Sequence, residues 1–189
     1  MNFNLYNLLS NLVPGFILYI VGIYILNIDI KNISEISSIA IAYILGYFIN
    51  AMGGWFEKII FWTWGGEPGL QLLKGKQCGR INFFELDKIN LLKEPEKNAS
   101  NEIVFQKAMR LSREDERVLE MNASYAFSRS ILMTIIVIYL VLFSLYYKTF
   151  LYQAISIPMI FLAWHRAKER SFYYAKEVLL CAINKCSNN

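Results

Sequence analysis

Three cations lie among glycines in one short stretch whose residue types suit a phosphate group. The stretch is Lys74, Gly75, Lys76, Gln77, Cys78, Gly79, Arg80. Backbone amides exposed by glycine, together with Lys or Arg, are the groups that a phosphate requires. This predicts a site for a nucleotide or a short nucleic acid on Lys74, Lys76 and Arg80. A solvated turn beside a membrane explains the same residues, because the full P-loop pattern is absent and such matches are frequent.

A second basic set recurs at helical spacing further along the chain. Arg110, Arg113 and Arg117 are three and four residues apart, so one helix face presents all of them. We expect them to complete the anion site, or else to pair with their acidic neighbours. Residues 57–129 carry 12 basic and 11 acidic groups, so any nucleic-acid site there is local. The acidic neighbours are Glu114, Asp115, Glu116 and Glu120.

Uncharged polar residues recur in the two apolar stretches nearest the amino terminus. Asn4, Asn7 and Asn11 lie close to one helical stripe, and Tyr47 and Asn50 lie on the next apolar stretch. Amides and hydroxyls replace part of an ion's hydration without holding it strongly, so these five residues are candidates to line a pore between copies of the chain. Helix packing is the alternative, because small residues and single Asn side chains commonly join helices in membranes.

Catalysis finds little support in the residue types. The chain has one His, His165, and its cysteines, Cys78, Cys181 and Cys186, form no CxxC pair. A metal site or a Ser/His arrangement has no second His to draw on. We therefore expect no enzyme activity, no metal and no cofactor.

The composition indicates that the residues described above belong to a membrane protein. Of the 189 residues, 56% are hydrophobic and only 18% are charged, and the mean hydropathy is +0.34. Soluble domains have about 45 to 50% apolar and about 25% charged residues. Disorder and a disulfide framework are excluded by the same numbers, and the net charge of +4 argues against a broad nucleic-acid-binding surface.

Four stretches are long enough to be membrane spans. No charged residue lies mid-span in any of them, which disfavours an active pump. Residues 8–27 and 37–58 form the first two, and residues 130–147 and 149–164 form two more that turn at Lys148. The expected fold is an all-α integral membrane protein with four transmembrane helices as two hairpins.

The expected organisation has four parts. Residues 1–58 form transmembrane hairpin 1, residues 59–126 a cytosolic insert, residues 127–165 hairpin 2, and residues 166–189 an amphipathic cytosolic helix. Within the insert, residues 65–80 are expected to be loop, with or without a short hairpin. Residues 102–111 and 112–127 are expected to be helical, with Ser112 capping the second piece.

Charge placement orients the chain. The two short loops between spans hold only two of the 19 Lys and Arg residues, so the positive-inside rule places both termini and the insert on the cytoplasmic side of the membrane. The last 25 residues have a net charge of +3, which favours contact with anionic lipid, with an anionic regulator as the alternative. The inner interface should hold four tryptophans, namely Trp55, Trp62, Trp64 and Trp164.

Four short spans are too few to enclose a conduit, so a pore requires a homo-oligomer, and we favour a tetramer. The alternative is a non-conducting scaffold or sensor that recruits a cytosolic protein through the insert face from Val104 to Tyr125.

The layout resembles a known class of protein. Pro14 and Gly15 lie in the first span, the loop from Lys74 to Arg80 lies in the insert, and a helical stretch runs from Arg113 to Arg129. This plan is similar to the small transmembrane effectors of bacterial anti-phage systems, among them the channel partner of the Hailong system. It also resembles the tetraspanning subunit of Kiwa defence in its span count. The first resemblance implies a homo-oligomeric channel of the bacterial inner membrane, held shut by short DNA that a companion nucleotidyltransferase, encoded nearby, makes.

Overall fold

Helices make up most of the described residues, which are 5–28, 34–79, 81, 100–146 and 150–187 of a computed structural model. Within them no β-strand occurs, and one isolated bridge joins Cys78 and Ile81. The predicted all-α fold is therefore confirmed for this part of the chain. The helices are α1 (Leu5–Leu26), α2 (Glu35–Trp55), α3 (Glu57–Thr63), α4 (Pro68–Leu73), α5 (Asn101–Ser112), α6 (Glu116–Tyr146) and α7 (Phe150–Ser187).

The chain divides into two compact units. The spanning unit comprises Met1–Glu57 and Ala126–Ala167, and the polar unit comprises Lys58–Tyr125 and Lys168–Asn189. Helices α6 and α7 each contribute residues to both units, whereas α1 and α2 belong to the spanning unit alone.

Helices α1 and α2 form an antiparallel pair whose backbones approach closely at two glycines. An added Cβ at Gly15 would overlap the carbonyl oxygen of Ala42, and one at Gly46 would overlap that of Asn11. Small residues permit such an approach, which supplies the van der Waals contact that holds apolar helices together in lipid. Helix α1 continues through Pro14, which is buried.

The ends of both helices follow from local chemistry. Asn27 has a φ of 51° and ends α1 in the left-handed conformation that Asn tolerates. Ser34 begins α2 as its N-cap, because its hydroxyl accepts a hydrogen bond from the Ser37 amide at 3.2 Å. The second helix ends at Trp55 rather than Lys58, and α3 begins anew at Glu57.

Three helices, not the predicted four, are long and apolar enough to cross a membrane. They cover Leu8–Leu26, Glu35–Trp55 and Glu116–Leu145. The first part of α7, which the sequence assigned to a fourth span, is not among them, since Gln153 and Pro158 interrupt it and Arg166 follows soon after. The predicted turn at Lys148 lies outside the described residues. The membrane prediction is thus supported by three helices.

The polar unit has a hydrophobic core of its own. Its members come from α4, α5, the start of α6 and the end of α7. The carboxyl-terminal residues predicted as an amphipathic helix form the last part of α7, and Phe172, Ala175, Leu179 and Ala182 of the predicted apolar face are buried in this core. The largest buried side chains there are Phe172, Leu72, Leu179, Ile183, Val104 and Val178.

Three local predictions in the polar unit were wrong. Pro68–Leu73 is helix rather than loop, because Pro suits the first helical turn and Gln71 Nε2 donates to the carbonyls of Trp64 and Gly66 at 3.1 and 2.6 Å. Trp64 is 4% exposed and does not lie at a surface, whereas Trp55 and Trp62 are about four-fifths exposed.

The third error concerns helix caps. Ser112 is the buried last residue of α5, and its hydroxyl contacts the Met109 carbonyl rather than capping the next helix. Asp115 caps α6 instead, with one carboxylate oxygen accepting from the amides of Arg117 and Val118 at 3.0 and 3.3 Å. A carboxylate there also faces the positive end of the helix dipole.

The close approach of α1 and α2 yields a paired test. Gly46→Ala should lower the free energy of unfolding by about 1 to 3 kcal/mol, because the new methyl group forces the two backbones apart. Gly22→Ala is the matched control, since nothing lies within 4 Å of a Cβ at that position. Thermal unfolding in detergent measures both variants, and equal melting temperatures would contradict the close contact.

Candidate functional site

A chain of hydrogen bonds crosses the spanning unit and ends on an ion pair. Asn50 Nδ2 donates to Asn11 Oδ1 at 3.1 Å, which joins α2 to α1. Arg129 Nη2 donates to Asn50 Oδ1 at 3.2 Å, and Arg129 Nη1 donates to Glu57 Oε1 at 3.0 Å. Four helices therefore meet in one polar cluster, which we call the Arg129 cluster.

The Arg129 cluster is largely shielded from solvent. The side chain of Arg129 is 15% exposed and that of Glu57 is 31% exposed. Removing a charge from water is costly unless a partner and hydrogen bonds compensate it, and here Glu57 and Asn50 provide both. Gly53 makes room for the guanidinium group, because a Cβ there would lie 3.2 Å from Arg129 Nε. The cluster therefore joins helices within one chain.

The cluster bears on the predicted pore residues. Asn11 and Asn50 point toward each other within one chain, an arrangement that matches the packing interpretation of these side chains. Tyr47 is 60% exposed and contributes to no part of the cluster. Asn4 lies outside the described residues, and Asn7 is described only as part of the α1 backbone. Pore lining by these residues remains a prediction.

Arg129 is the residue that sequence reasoning missed. In the sequence it marks only the end of a predicted helical stretch, but it lies within α6, one of the helices able to span. The available signal was its position directly before the uncharged run from Ser130, together with Asn50 and Glu57 seven residues apart on one side of α2 and α3.

The second candidate site is a cleft of about 590 Å³ in the polar unit. Arg110 and Arg113 lie at the end of α5, and Asn122 faces them from α6. Tyr174 of α7 completes the lining, and its ring is stacked on that of Tyr125 with an interplanar angle of 7°. The remaining lining residues are Gln106, Met109, Ser112, Val118 and Leu119.

The charged side chains among the described lining residues of the cleft are two arginines. No carboxylate is among its lining residues, and neither Arg110 nor Arg113 forms an ion pair within the described part of the chain. Arg117, the third member of the predicted row, is paired instead, with its Nε 3.6 Å from Glu177 Oε2 and its side chain 73% exposed. Such an exposed pair contributes little stability.

The basic loop does not share this site. Lys74 and Lys76 are exposed on the turn that follows α4 and are absent from the cleft lining, and Arg80 lies outside the described residues. Gly75 and Gly79 have φ angles of 74° and 59°, so glycine is required for the backbone conformation of this turn. Of the six predicted ligand residues, the structure brings together Arg110 and Arg113.

Asp115 and Cys181 form a coupled pair beside the cleft. The Cys181 thiol donates to Asp115 Oδ2 at 3.3 Å. This hydrogen bond and the two helix amides hold the pKa of Asp115 below its usual value. Burial, followed by the nearby carboxylate, raises the pKa of Cys181, and burial raises the pKa of Cys78. Both thiols are therefore poor nucleophiles at neutral pH.

The fold and these two sites describe an all-helical membrane protein with a separate polar unit. Comparison with protein-family models, curated proteins and solved structures finds no match to the chain. Among the described residues, no group of three or more His, Cys, Asp or Glu residues is placed to hold a metal ion.

The Arg129 cluster predicts a strong coupling between two side chains. Arg129→Met should lower the free energy of unfolding by about 2 kcal/mol, because charge-assisted hydrogen bonds to Glu57 and Asn50 are lost. Glu57→Gln should cost less in the Arg129→Met background than alone, since its partner is already absent. A double-mutant cycle of detergent-solubilised protein measures this, and additive effects would refute the pairing.

Asp115 predicts a pH dependence of stability. Because its folded pKa lies below the ordinary value of 3.8, its ionised form stabilises the fold above that pH. The contribution is lost as the pH falls through the lowered pKa. Asp115→Ala should cost about 1 kcal/mol at neutral pH through loss of the cap.

Asp115→Asn is the matched control, because Asn is a comparable cap without a charge. It should remain closer to the parent at neutral pH and should show a shallower loss of stability in acid. Helical circular dichroism during chemical unfolding at several pH values gives both readings. An unchanged acid slope would show that Asp115 does not titrate in this way.

Proposed function

We propose that this chain is the subunit of a homo-oligomeric ion channel of the bacterial inner membrane, gated by a cytosolic anionic ligand. The observation that carries the proposal is the cleft with Arg110 and Arg113 and no carboxylate among its described lining residues, in a chain with three helices able to span. A receptor for an anion and an apolar bundle are the two parts of a ligand-gated pore.

The proposed role is that of an effector in anti-phage defence. Its support is the resemblance in layout to small transmembrane effectors of such systems, in which a companion enzyme makes the ligand. The expected ligand is a nucleotide or short single-stranded DNA, and a nucleotidyltransferase encoded nearby is the expected source. Ligand binding shifts the open and closed states only through differential contacts with them.

In the proposed topology both termini and the polar unit lie in the cytoplasm, and the first part of α7 forms a fourth crossing. Residues 149–164 hold no charged group, which supports this crossing. Large apolar side chains are also exposed there, among them Phe161 and Leu162 at 61% and 67%. Because the apolar stretch is short, we expect the bilayer to thin around it.

The spanning helices leave most of their surface uncovered in one copy, since only 22% of each apolar window is buried. Lipid covers apolar side chains, but Tyr43 and Tyr47 place hydroxyls on the outward face of α2 one turn apart. The Tyr47 hydroxyl has no hydrogen-bond partner among the described residues. A hydroxyl in hydrocarbon is costly without a partner, so we assign this face to a wet path between copies.

The Arg129 cluster favours one alternative, a membrane scaffold or sensor that does not conduct. The polar side chains of α1 and α2 are used there to fasten helices rather than to line a path. The recruiting face that the sequence offered for this alternative is not available, because Val104 and Tyr125 are 1% and 5% exposed in the chain's own core.

Ion flux distinguishes the two functions. Tyr47→Leu should alter the conductance of purified protein in liposomes, because it removes a hydroxyl from the proposed path. Phe48→Leu is the matched control, since Phe48 is equally exposed at 60% but has no hydroxyl and faces about 100° away around the helix. Flux should be recorded with and without nucleotide.

Unchanged conductance in Tyr47→Leu would remove Tyr47 from the path. Absence of flux from the parent protein under both conditions, with a single copy per detergent micelle by light scattering, would reject the channel and favour the scaffold.

A further inference from the structure

We infer that the cleft between α5, α6 and α7 binds one nucleotide unit, with its phosphate on Arg110 and Arg113 and its base beside Tyr174. The role of this cleft in gating rests on the proposed function. The inference adds the residues that would recognise the anionic ligand. It concerns the polar unit alone.

The two arginines form the part of the cleft that would bind the phosphate. Arg110 and Arg113 are three residues apart at the end of α5, so their guanidinium groups serve the same side of the cleft. Arginine stays charged at every physiological pH, and its planar fork matches two phosphate oxygens at once. Within the described part of the chain no carboxylate lines the cleft, which leaves these charges for a ligand.

The remaining lining residues form the part of the cleft that would hold the nucleobase. Stacking on Tyr125 holds the Tyr174 ring in one orientation, so little entropy is lost when a second planar group packs beside it. Met109, Val118 and Leu119 supply an apolar wall. A nucleobase is planar and apolar on its faces, which suits these neighbours.

The edge of a base needs both donors and acceptors. Asn122 and Gln106 each carry an amide with a carbonyl oxygen and an NH₂ group, so they satisfy either kind of edge atom. An anion that carries acceptors alone, such as sulfate, gains nothing from the amide oxygens. The combination of two cations, two amides and an oriented ring therefore favours a nucleotide.

The size of the cleft limits the ligand. About 590 Å³ falls within the range of roughly 300 to 1,000 Å³ for small-molecule sites. One nucleotide unit is accommodated, either as a free mononucleotide or as the end of a single strand. Both sources present the same phosphate and base, and separate titrations distinguish them.

Calorimetric titration of the full-length protein in detergent tests the inference. The probes are a nucleoside 5′-monophosphate, a single-stranded trinucleotide and inorganic phosphate. We expect saturable binding of one nucleotide per chain and at least about 10-fold weaker binding of inorganic phosphate, because the base contacts are then lost. Tighter binding of the trinucleotide than of the mononucleotide would support the inference and identify a strand end as the source.

Three variants locate the site. Arg110→Gln and Arg113→Gln should each weaken nucleotide binding by about 10-fold or more, since a charge-assisted contact is lost. Tyr174→Leu should weaken the nucleotide but leave inorganic phosphate unchanged. Arg117→Gln is the matched control, because this arginine is outside the lining and paired with Glu177. Helical circular dichroism checks that each variant is folded.

Several results would overturn the inference. These are no saturable binding of either nucleotide probe, equal affinity for nucleotide and inorganic phosphate, or equal losses in Arg117→Gln and Arg110→Gln. Binding is read separately from flux, so a conducting protein that binds no nucleotide retains the channel and loses this site. A protein that binds nucleotide without flux retains the site and loses the channel.

Discussion

Arg129 donates to Glu57 and to Asn50, and Asn50 donates to Asn11, so that four helices meet at one charged side chain. In lipid, apolar side chains gain little by moving from one apolar neighbour to another, so helix association depends on close packing and polar contacts. The spanning unit uses both means. Gly15 and Gly46 bring two backbones together, and the Arg129 cluster fixes which residues lie opposite each other.

The polar unit is stabilised by different physics. Its core removes large apolar side chains from water, and the polar groups at its edges are satisfied locally. Asp115 caps α6, while Lys185 donates to the Leu111 carbonyl at 2.9 Å and so completes the end of α5. These contacts involve Asp115 and Lys185, whereas Arg110 and Arg113 line the cleft.

The two sites have different roles in the proposed channel. In the proposal the cleft binds the ligand, whereas the Arg129 cluster joins helices of the spanning unit. Helix α6 contributes Val118 and Asn122 to the cleft and Arg129 to the cluster, so one continuous helix carries residues of both. In the proposal, binding acts through this helix, because a ligand shifts a conformational equilibrium only through contacts that differ between its states.

The sequence by itself determined the helical class, the apolar spans near the amino terminus and the buried face of the carboxyl-terminal helix, because these depend on periodicity and composition. It also picked out Asn11, Asn50, Arg110 and Arg113 as polar groups of interest. Local signals misled where tertiary contacts prevailed, as at Trp64, which is in the core, and at Ser112, where Asp115 provides the cap.

Only the tertiary structure decided which of these polar groups meet. Asn11 and Asn50 are 39 residues apart, and Arg129 is 79 residues from Asn50, so no local pattern encodes their hydrogen bonds. Likewise, Arg110, Arg113 and Arg117 are equivalent in the sequence. In the structure Arg117 is paired with Glu177 of α7, whereas Arg110 and Arg113 line the cleft. Spacing specifies the face on which a residue lies, whereas its partner depends on which distant helix packs against that face.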